Sequence, residues 1–289
     1  MNAPDYLEAG PSESPTYIPL GHGLLGEPIS LGKVVHTLVI GERHSSASLL
    51  MPTIAVGALL EAHQVVLIDP IQGGEEYSRY GEWLASLATT STDTVSVLRS
   101  VASDVDRRAQ FLFMQNVSHW QDLDTDLLPL TREMYEPLTI IWPDFVPLSD
   151  DELRTIHAAR SSGHRAIDSD LRLRARAQTY LIFLGSYGAE VNIYFVIGCT
   201  PESVSALPST LLASMRTHVT VLSNYETSAP EIQSLFATDG SKASRRGLSL
   251  IQVDEGPVKG FQMDFFRSAD IPRVLAEADL PTYVAGATD

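Results

Sequence analysis

The sequence predicts an α/β fold on a mainly parallel central sheet flanked by helices. Three observations carry that expectation. Short apolar, β-branched runs recur at Val34–Ile40, Val65–Ile68, Leu138–Trp142 and Val191–Ile197, the signature of strands buried on both faces. Long segments of helical periodicity, Thr94–Phe113 and Leu171–Leu184, lie between them, and strands alternating with helices assemble into a parallel sheet. A chain of 289 residues, 44% hydrophobic, can bury one large core.

Taken in order, Met1–Thr16 is rich in Pro, Ser, Gly and acid, with too few apolar residues to offset the entropy of ordering it, so residues 1–16 are expected to form a flexible tail. Ile18 and Leu20, then Ile29 and Leu31, flank Gly21, Gly23 and Gly26, which reads as a glycine-closed β-hairpin. The run Val34–Ile40 sits between Gly32-Lys33 and Gly41, and a helix is expected over Ser45–Ala62. Later strands are expected at Val219–Leu222, Leu248–Val253 and Phe261–Phe266, the last two joined by a turn through Glu255, Gly256 and Pro257. The domain is placed at 17–276 and a C-terminal tail at 277–289.

Charge narrows the function classes. Twenty Lys and Arg against 36 Asp and Glu leave a net charge of -16, which repels a phosphate backbone and disfavours DNA as a partner of the whole surface. The longest apolar stretch, Ser45–Leu60, contains Pro52 and falls short of the ~20 residues a bilayer crossing needs, so no membrane span is expected. The first thirty residues carry Asp5, Glu8, Glu13 and Glu27 but no Lys or Arg, unlike a signal peptide. The single Cys199 excludes an internal disulfide, and the expected location is cytoplasmic. Asp122–Glu152 holds nine acids against Arg132 alone, whereas Arg154–Arg176 holds six arginines against Asp168 and Asp170. The acidic belt reads as a solvated face or as a dock for a basic protein. Arg172 and Arg176 would share a helical face, for solvation or for a phosphate or acidic partner.

Other chemistries lack their residues. The eight histidines include no pair at i, i+4 with a helical carboxylate, as zinc hydrolases require. Ser45-Ser46-Ala47-Ser48 lacks the Gly-x-Ser-x-Gly elbow of a hydrolase nucleophile. Trp142, Pro143 and Phe145 stand at the carboxyl end of a central strand, where open α/β sheets place ligands; they read as a ligand position or as a plug that fills one.

A strand ending Val39-Ile40-Gly41, then a polar loop and a helix, is the setting in which helix N-terminal amides bind phosphate. The loop reads Gly41, Glu42, Arg43, His44, Ser45, Ser46, Ala47, Ser48. A working phosphate loop needs Lys before the Ser or Thr, because the ammonium reaches the outer phosphates while the hydroxyl helps hold magnesium. Ala47 stands there, and His44 and Ser46 stand where glycines would let the backbone wrap a phosphate. The pattern alone fits an ordinary strand-to-helix turn or the relic of a nucleotide site.

The wider chain adds a resemblance. The hairpin Ile18-Pro19-Leu20 to Gly26-Glu27-Pro28, the loop at Gly41, and Leu67-Ile68-Asp69-Pro70 with Gly73-Gly74-Glu75, in that order and spacing, resemble the FtsK/SpoIIIE family of DNA-translocating ATPases. That family's helix ending in paired arginines resembles Val97–Gln110 with Arg107-Arg108. Its acidic metal-site strand resembles Thr139–Phe145, its glycine turn and sensor strand Gly185–Thr200, and its late glycine Arg246-Gly247-Leu248. The resemblance covers roughly Tyr17–Phe266 and implies a RecA-like P-loop NTPase fold in the FtsK/HerA superfamily. It also implies where the chain departs from the family. The Asp-Glu pair of the metal strand reads Pro143-Asp144, the sensor glutamine falls on Cys199 or Thr200, and the Lys usual after Asp69-Pro70 is Ile71.

The expectation that follows is a pseudo-ATPase: a vestigial phosphate loop at Gly41, His44, Ser45, Ser46, Ala47 and Ser48, a vestigial metal-strand acid at Asp144, and no working cofactor. ATP with magnesium is the ligand a surviving loop would take. Protein partners, in a homomeric or mixed ring, are the expected company. The alternative is an active translocase whose site is completed by Arg43 or by a neighbouring subunit.

Overall fold

The computed structural model describes residues 18–23, 25–31, 35–41, 46–123, 136–162, 168–221, 248–254, 256–264, 266, 269–278 and 280–283. The expected tail at 1–16, residues 42–45 of the phosphate-loop position, Leu222, Gly247 and Glu255 lie outside them.

One sheet organises the chain. Its strands are β1 (Ile18–Gly23), β2 (Pro28–Leu31), β3 (Thr37–Ile40), β4 (Gln64–Ile68), β5 (Ser86–Ala88), β6 (Leu138–Trp142), β7 (Ile193–Cys199), β8 (Thr217–Val221), β9 (Leu248–Val253) and β10 (Lys259–Met263), in the spatial order β2-β1-β10-β9-β8-β3-β7-β6-β4-β5. From β8 to β5 every neighbour is parallel. From β8 outward through β9, β10, β1 and β2 every neighbour is antiparallel. The expected parallel sheet and N-terminal hairpin are both present, and the later strands join them into one surface.

Burial explains the division. β3, β6 and β7 are buried at every residue, as strands covered by helices on both faces must be. β10 alternates, with Phe261 and Met263 buried and Gln262 exposed, as an antiparallel strand with one wet face does. This final strand spans Lys259–Met263 rather than the expected Phe261–Phe266, because its register is set by pairing Phe261 with Ser249 on one side and Gly23 on the other. Val191, expected in a strand, instead closes a short 3-10 turn; Asn192 at φ 64° then resets the chain so that β7 starts at Ile193.

Helices cover both faces. α1 (Ser46–Leu60) carries Pro52 within it, and Leu50, Met51, Ile54, Ala55, Val56 and Ala58 are each at most 1% exposed. It is a core helix, with β1, β2, the 3-10 segment Glu75–Trp83 and the later helix α7 (Ile271–Glu277) contributing to the same cluster. The opposite face is covered by α2 (Ser91–Met114) and α4 (Ser169–Tyr187), with α3 (Asp150–Ser162), α5 (Pro201–Val204) and α6 (Ser209–Ser214) completing the order. After α7 the chain stays on the body: Leu280 packs against the first cluster, and the Tyr283 N–H donates to the Glu82 carbonyl at 2.6 Å. No helix among the described residues is long and apolar enough to cross a membrane.

Candidate functional site

Parallel strands end together at one edge, and that edge gathers the residues the sequence singled out. β3 ends at Ile40 and leads through Gly41 toward α1, β6 ends at Trp142 before Pro143 and Asp144, and β7 ends at Cys199 before Thr200. β7 lies between β3 and β6, with Ile40 opposite Cys199 and Trp142 opposite Ile197. The Gly41 N–H donates to the Cys199 carbonyl at 3.1 Å, which fixes the start of the loop against the end of β7. His44 and Ser45 lie outside the described residues, while Ser46, Ala47 and Ser48 form the first turn of α1.

The turn after β6 folds over the end of β7. The Phe145 N–H donates to the Gly198 carbonyl at 2.8 Å. The Cys199 thiol points back to the Phe145 carbonyl, with Sγ and O 3.6 Å apart. Gly198 permits this approach, since a Cβ there would overlap the Pro143 carbonyl oxygen; a glycine inside a strand commonly marks such a backbone contact. Trp142 and Phe145 meet edge to face, 4.8 Å between centroids, and both are buried in the cluster beneath α2 and α4. The aromatic pair therefore packs on the sheet face covered by α2 and α4, opposite the face covered by α1.

Among the described residues, several other groups at this edge have local partners. Burial, then the negative charge of Asp144, pushes the Cys199 thiol well above its usual range, which disfavours the thiolate a nucleophile needs. The Thr200 hydroxyl lies 3.0 Å from the Ser203 hydroxyl at the start of α5. Asp69, at the end of β4, is buried and spends its carboxylate on the loop that follows: one oxygen accepts the Gln72 N–H and the other the Gly74 N–H, each at 3.0 Å. Gly73 and Gly74 adopt φ of 68° and 72° there, a conformation that favours glycine. Ile71, at the family's Lys position, is half exposed. Among the described residues, no group of three His, Cys, Asp or Glu is placed to hold a metal ion.

The other singled-out residues lie elsewhere. Arg108 is buried near the opposite edge, where its guanidinium donates to the carbonyls of Glu136 and Val191 just before β6 and β7. Arg107 pairs with Asp104 on the surface of α2. The two charge belts partly neutralise each other: Arg174 meets Glu152 at 2.6 Å and Arg154 meets Asp151 at 2.6 Å. Asp124 and Asp126 of the acidic belt lie outside the described residues, as does Arg165 of the basic one.

The sequence matches no protein-family model and no curated protein. Solved structures do match the fold. The conjugation coupling protein TcpA of pCW3, in its monomer form with ATPgS, superposes with a TM-score of 0.73 at 14% identity, over 92% of this chain and 71% of that one. The cytoplasmic domain of the type VII secretion ATPase EccC from Thermomonospora curvata matches with a TM-score of 0.62 at 13% identity, over 96% of this chain and 33% of that one. EssC (ATPases 2 and 3) from Geobacillus thermodenitrificans matches with a TM-score of 0.60 at 13% identity, over 93% and 50%. The chain thus spans a third to a half of the two secretion proteins' structures. At these identities the likeness establishes the fold alone: this chain shares the α/β fold of those coupling and secretion ATPases.

Proposed function

We propose that this chain is a non-hydrolysing relative of the FtsK-type motors, serving as a structural or regulatory subunit of a DNA-translocation, conjugation or secretion assembly. The observation that carries the proposal is the coincidence, at one sheet edge, of substitutions at each chemical position of such a motor. Ala47 offers no cation to the outer phosphates, and an ammonium facing developing negative charge in a dry site is typically worth several kcal/mol. Pro143 stands where an acid would orient magnesium through its shell, and Asp144 is left as one carboxylate. Cys199 is buried with its thiol pushed above its usual range, and Thr200 is engaged with Ser203.

The proposed company is protein, in a homomeric or mixed ring within the cytoplasm. DNA contact is disfavoured by the net charge of -16. A binding module that docks a basic partner through the acidic belt is the weaker alternative, because Arg174 and Arg154 already engage Glu152 and Asp151. An active translocase completed by Arg43 or a neighbouring subunit is the second reading, favoured by Asp144 remaining at the end of β6.

Nucleotide binding separates the first reading from the second. A ligand that binds only the native state raises the melting temperature in proportion to the logarithm of its concentration above Kd. Titrating magnesium-ATP to millimolar concentrations is expected to leave the melting temperature unchanged. A progressive rise would transfer support to a retained nucleotide site.

A further inference from the structure

We infer that the outer groove between α2 and α4 docks an amphipathic helix of a partner protein, one that carries acid toward one end and apolar side chains toward the other. The inference rests on the reading that this chain's company is protein. Arg172 and Arg176 share a face of α4, and Tyr180, Phe183 and Tyr187 follow them at spacings of four, three and four, which continues the same stripe. The other side of α4 packs on α6, where a Cβ on Gly185 would meet Ser214 and Leu211, so the stripe runs along the side nearer α2. On α2 the matching stripe is Ser91, Val95, Ala102, Ala109 and Phe113, at spacings of four and seven. The Ser91 hydroxyl donates to the Asp170 carboxylate at 2.6 Å and joins the starts of the two helices. Arg108 of α2 donates to the Val191 carbonyl just beyond the end of α4, so the helices stay together along their length.

Three of the seven exposed large apolar side chains among the described residues gather where the two helices end: Phe113 is 85% exposed, Met114 70% and Tyr187 52%. The Phe183 and Tyr187 rings lie 5.2 Å apart, and Tyr180 and Phe183 pack down onto the core, so the patch is anchored. Toward the helix starts, Arg99 and Arg176 are exposed and make no ion pair among the described residues. Two unpaired cations on a chain of net charge -16 are complemented by carboxylates from outside it. Asp106 lies between Arg99 and Phe113 along α2 and repels acid from the middle of the groove. Counted from the Ser91–Asp170 contact at ~1.5 Å per residue, Arg176 and Arg99 stand about 9 and 12 Å along, and Tyr187 and Phe113 about 26 and 33 Å. Acids and apolar anchors on the ligand are therefore about 16–21 Å apart, roughly three to four turns of helix. An amphipathic helix laid in a groove meets that spacing.

The test uses the full chain without nucleotide, so its failure leaves the nucleotide titration, and the reading that titration tests, untouched. The probe is a fluorescent synthetic helix with Glu in its first turn and Leu roughly three to four turns later, alongside a copy with Lys in place of Glu. Anisotropy is expected to show binding of the Glu peptide and none of the Lys copy. Phe113→Ser with Tyr187→Ser is expected to weaken binding roughly tenfold or more, as loss of aromatic anchors does. Arg99→Glu with Arg176→Glu is expected to transfer binding to the Lys copy. All four side chains are exposed, so these variants keep the fold, and Ile71→Ser at the carboxyl edge is expected to change nothing. No saturable binding of the Glu peptide by about 1 mM would overturn the proposal, as would equal binding of the two peptides or binding that neither pair of substitutions alters. Dimers of the wild type alone that Phe113→Ser with Tyr187→Ser dissolves would assign the groove to a second copy and overturn it too. An oligonucleotide held through Arg99 and Arg176 would do the same.

Discussion

Replacing Arg108 with Met is expected to destabilise the fold by about 3–5 kcal/mol, the range seen when one partner of a buried ion pair is removed. The side chain is only 2% exposed and pairs with Asp104 at 2.8 Å through Nε. Nη1 donates to the Glu136 carbonyl at 3.0 Å and to the Val191 carbonyl at 3.1 Å. One guanidinium thus joins α2 to the segments entering β6 and β7. Met preserves much of the volume, so the loss falls on hydrogen bonding: two carbonyls lose a charged donor and the partly buried Asp104 loses one of its two arginines. Urea unfolding checks this, with a lower midpoint and an unchanged m value expected. A loss under about 1 kcal/mol would mean that Arg108 is no more than a surface pair.

Acidification from pH 7 to pH 5 is expected to remove about 4 kcal/mol through two buried histidines. His36 stacks on Phe195 at 4.0 Å between centroids, and its Nδ1 accepts the Phe195 N–H at 3.3 Å. His63 places Nδ1 2.8 Å from the Thr139 hydroxyl. Because Nδ1 of His36 accepts, its neutral ring carries the proton on Nε2, and a second proton would go to Nδ1 and break the bond from Phe195; among the described residues neither Nε2 has a hydrogen-bond partner. Burial lowers His36 from 6.5 to about 3 and His63 from 6.5 to about 4. The folded values lie below the unfolded one, so stability is full above pH 6.5 and falls as the unfolded chain alone takes up protons, down toward pH 4 and 3. Each site contributes roughly 2 kcal/mol by pH 5. Urea midpoints at the two pH values check the total, and His63→Gln is expected to halve the difference. An unchanged difference in that variant would remove His63 from the account.

The parallel half of the sheet was legible because burial on both faces leaves an apolar run that periodicity can find, as at Leu138–Trp142, whose ends match β6. β5 escaped notice because it has three residues, of which only Ala88 is fully buried. The segment Glu75–Trp83 buries Tyr77, Tyr80 and Trp83 at a spacing of three, a 3-10 stripe that its acids obscured. α3 lies within the charge belts and its first turn is Asp150, Asp151 and Glu152; that is a favourable helix start, because acid offsets the N-terminal dipole. The position of Arg108 could have been derived, since in a βαβ crossover the helix must end at the edge where the next strand begins. The seam between β6 and β7 could not, although Gly198 in an otherwise apolar strand was a signal of close backbone approach. Gly41 was expected at the end of a strand and directly follows β3, whereas its bond to Cys199 was not foreseen.

The central claim is that this chain keeps the shape of a translocating ATPase and has lost its chemistry. Steady-state ATP hydrolysis by the full chain, with magnesium and with and without double-stranded DNA, tests it most directly, using Asp144→Asn as the matched control for contaminating activity. The account predicts equal rates for the wild type and the variant, at the background of the preparation, and no stimulation by DNA. Turnover that DNA stimulates and Asp144→Asn abolishes would contradict it and identify Asp144 as a working metal-site carboxylate.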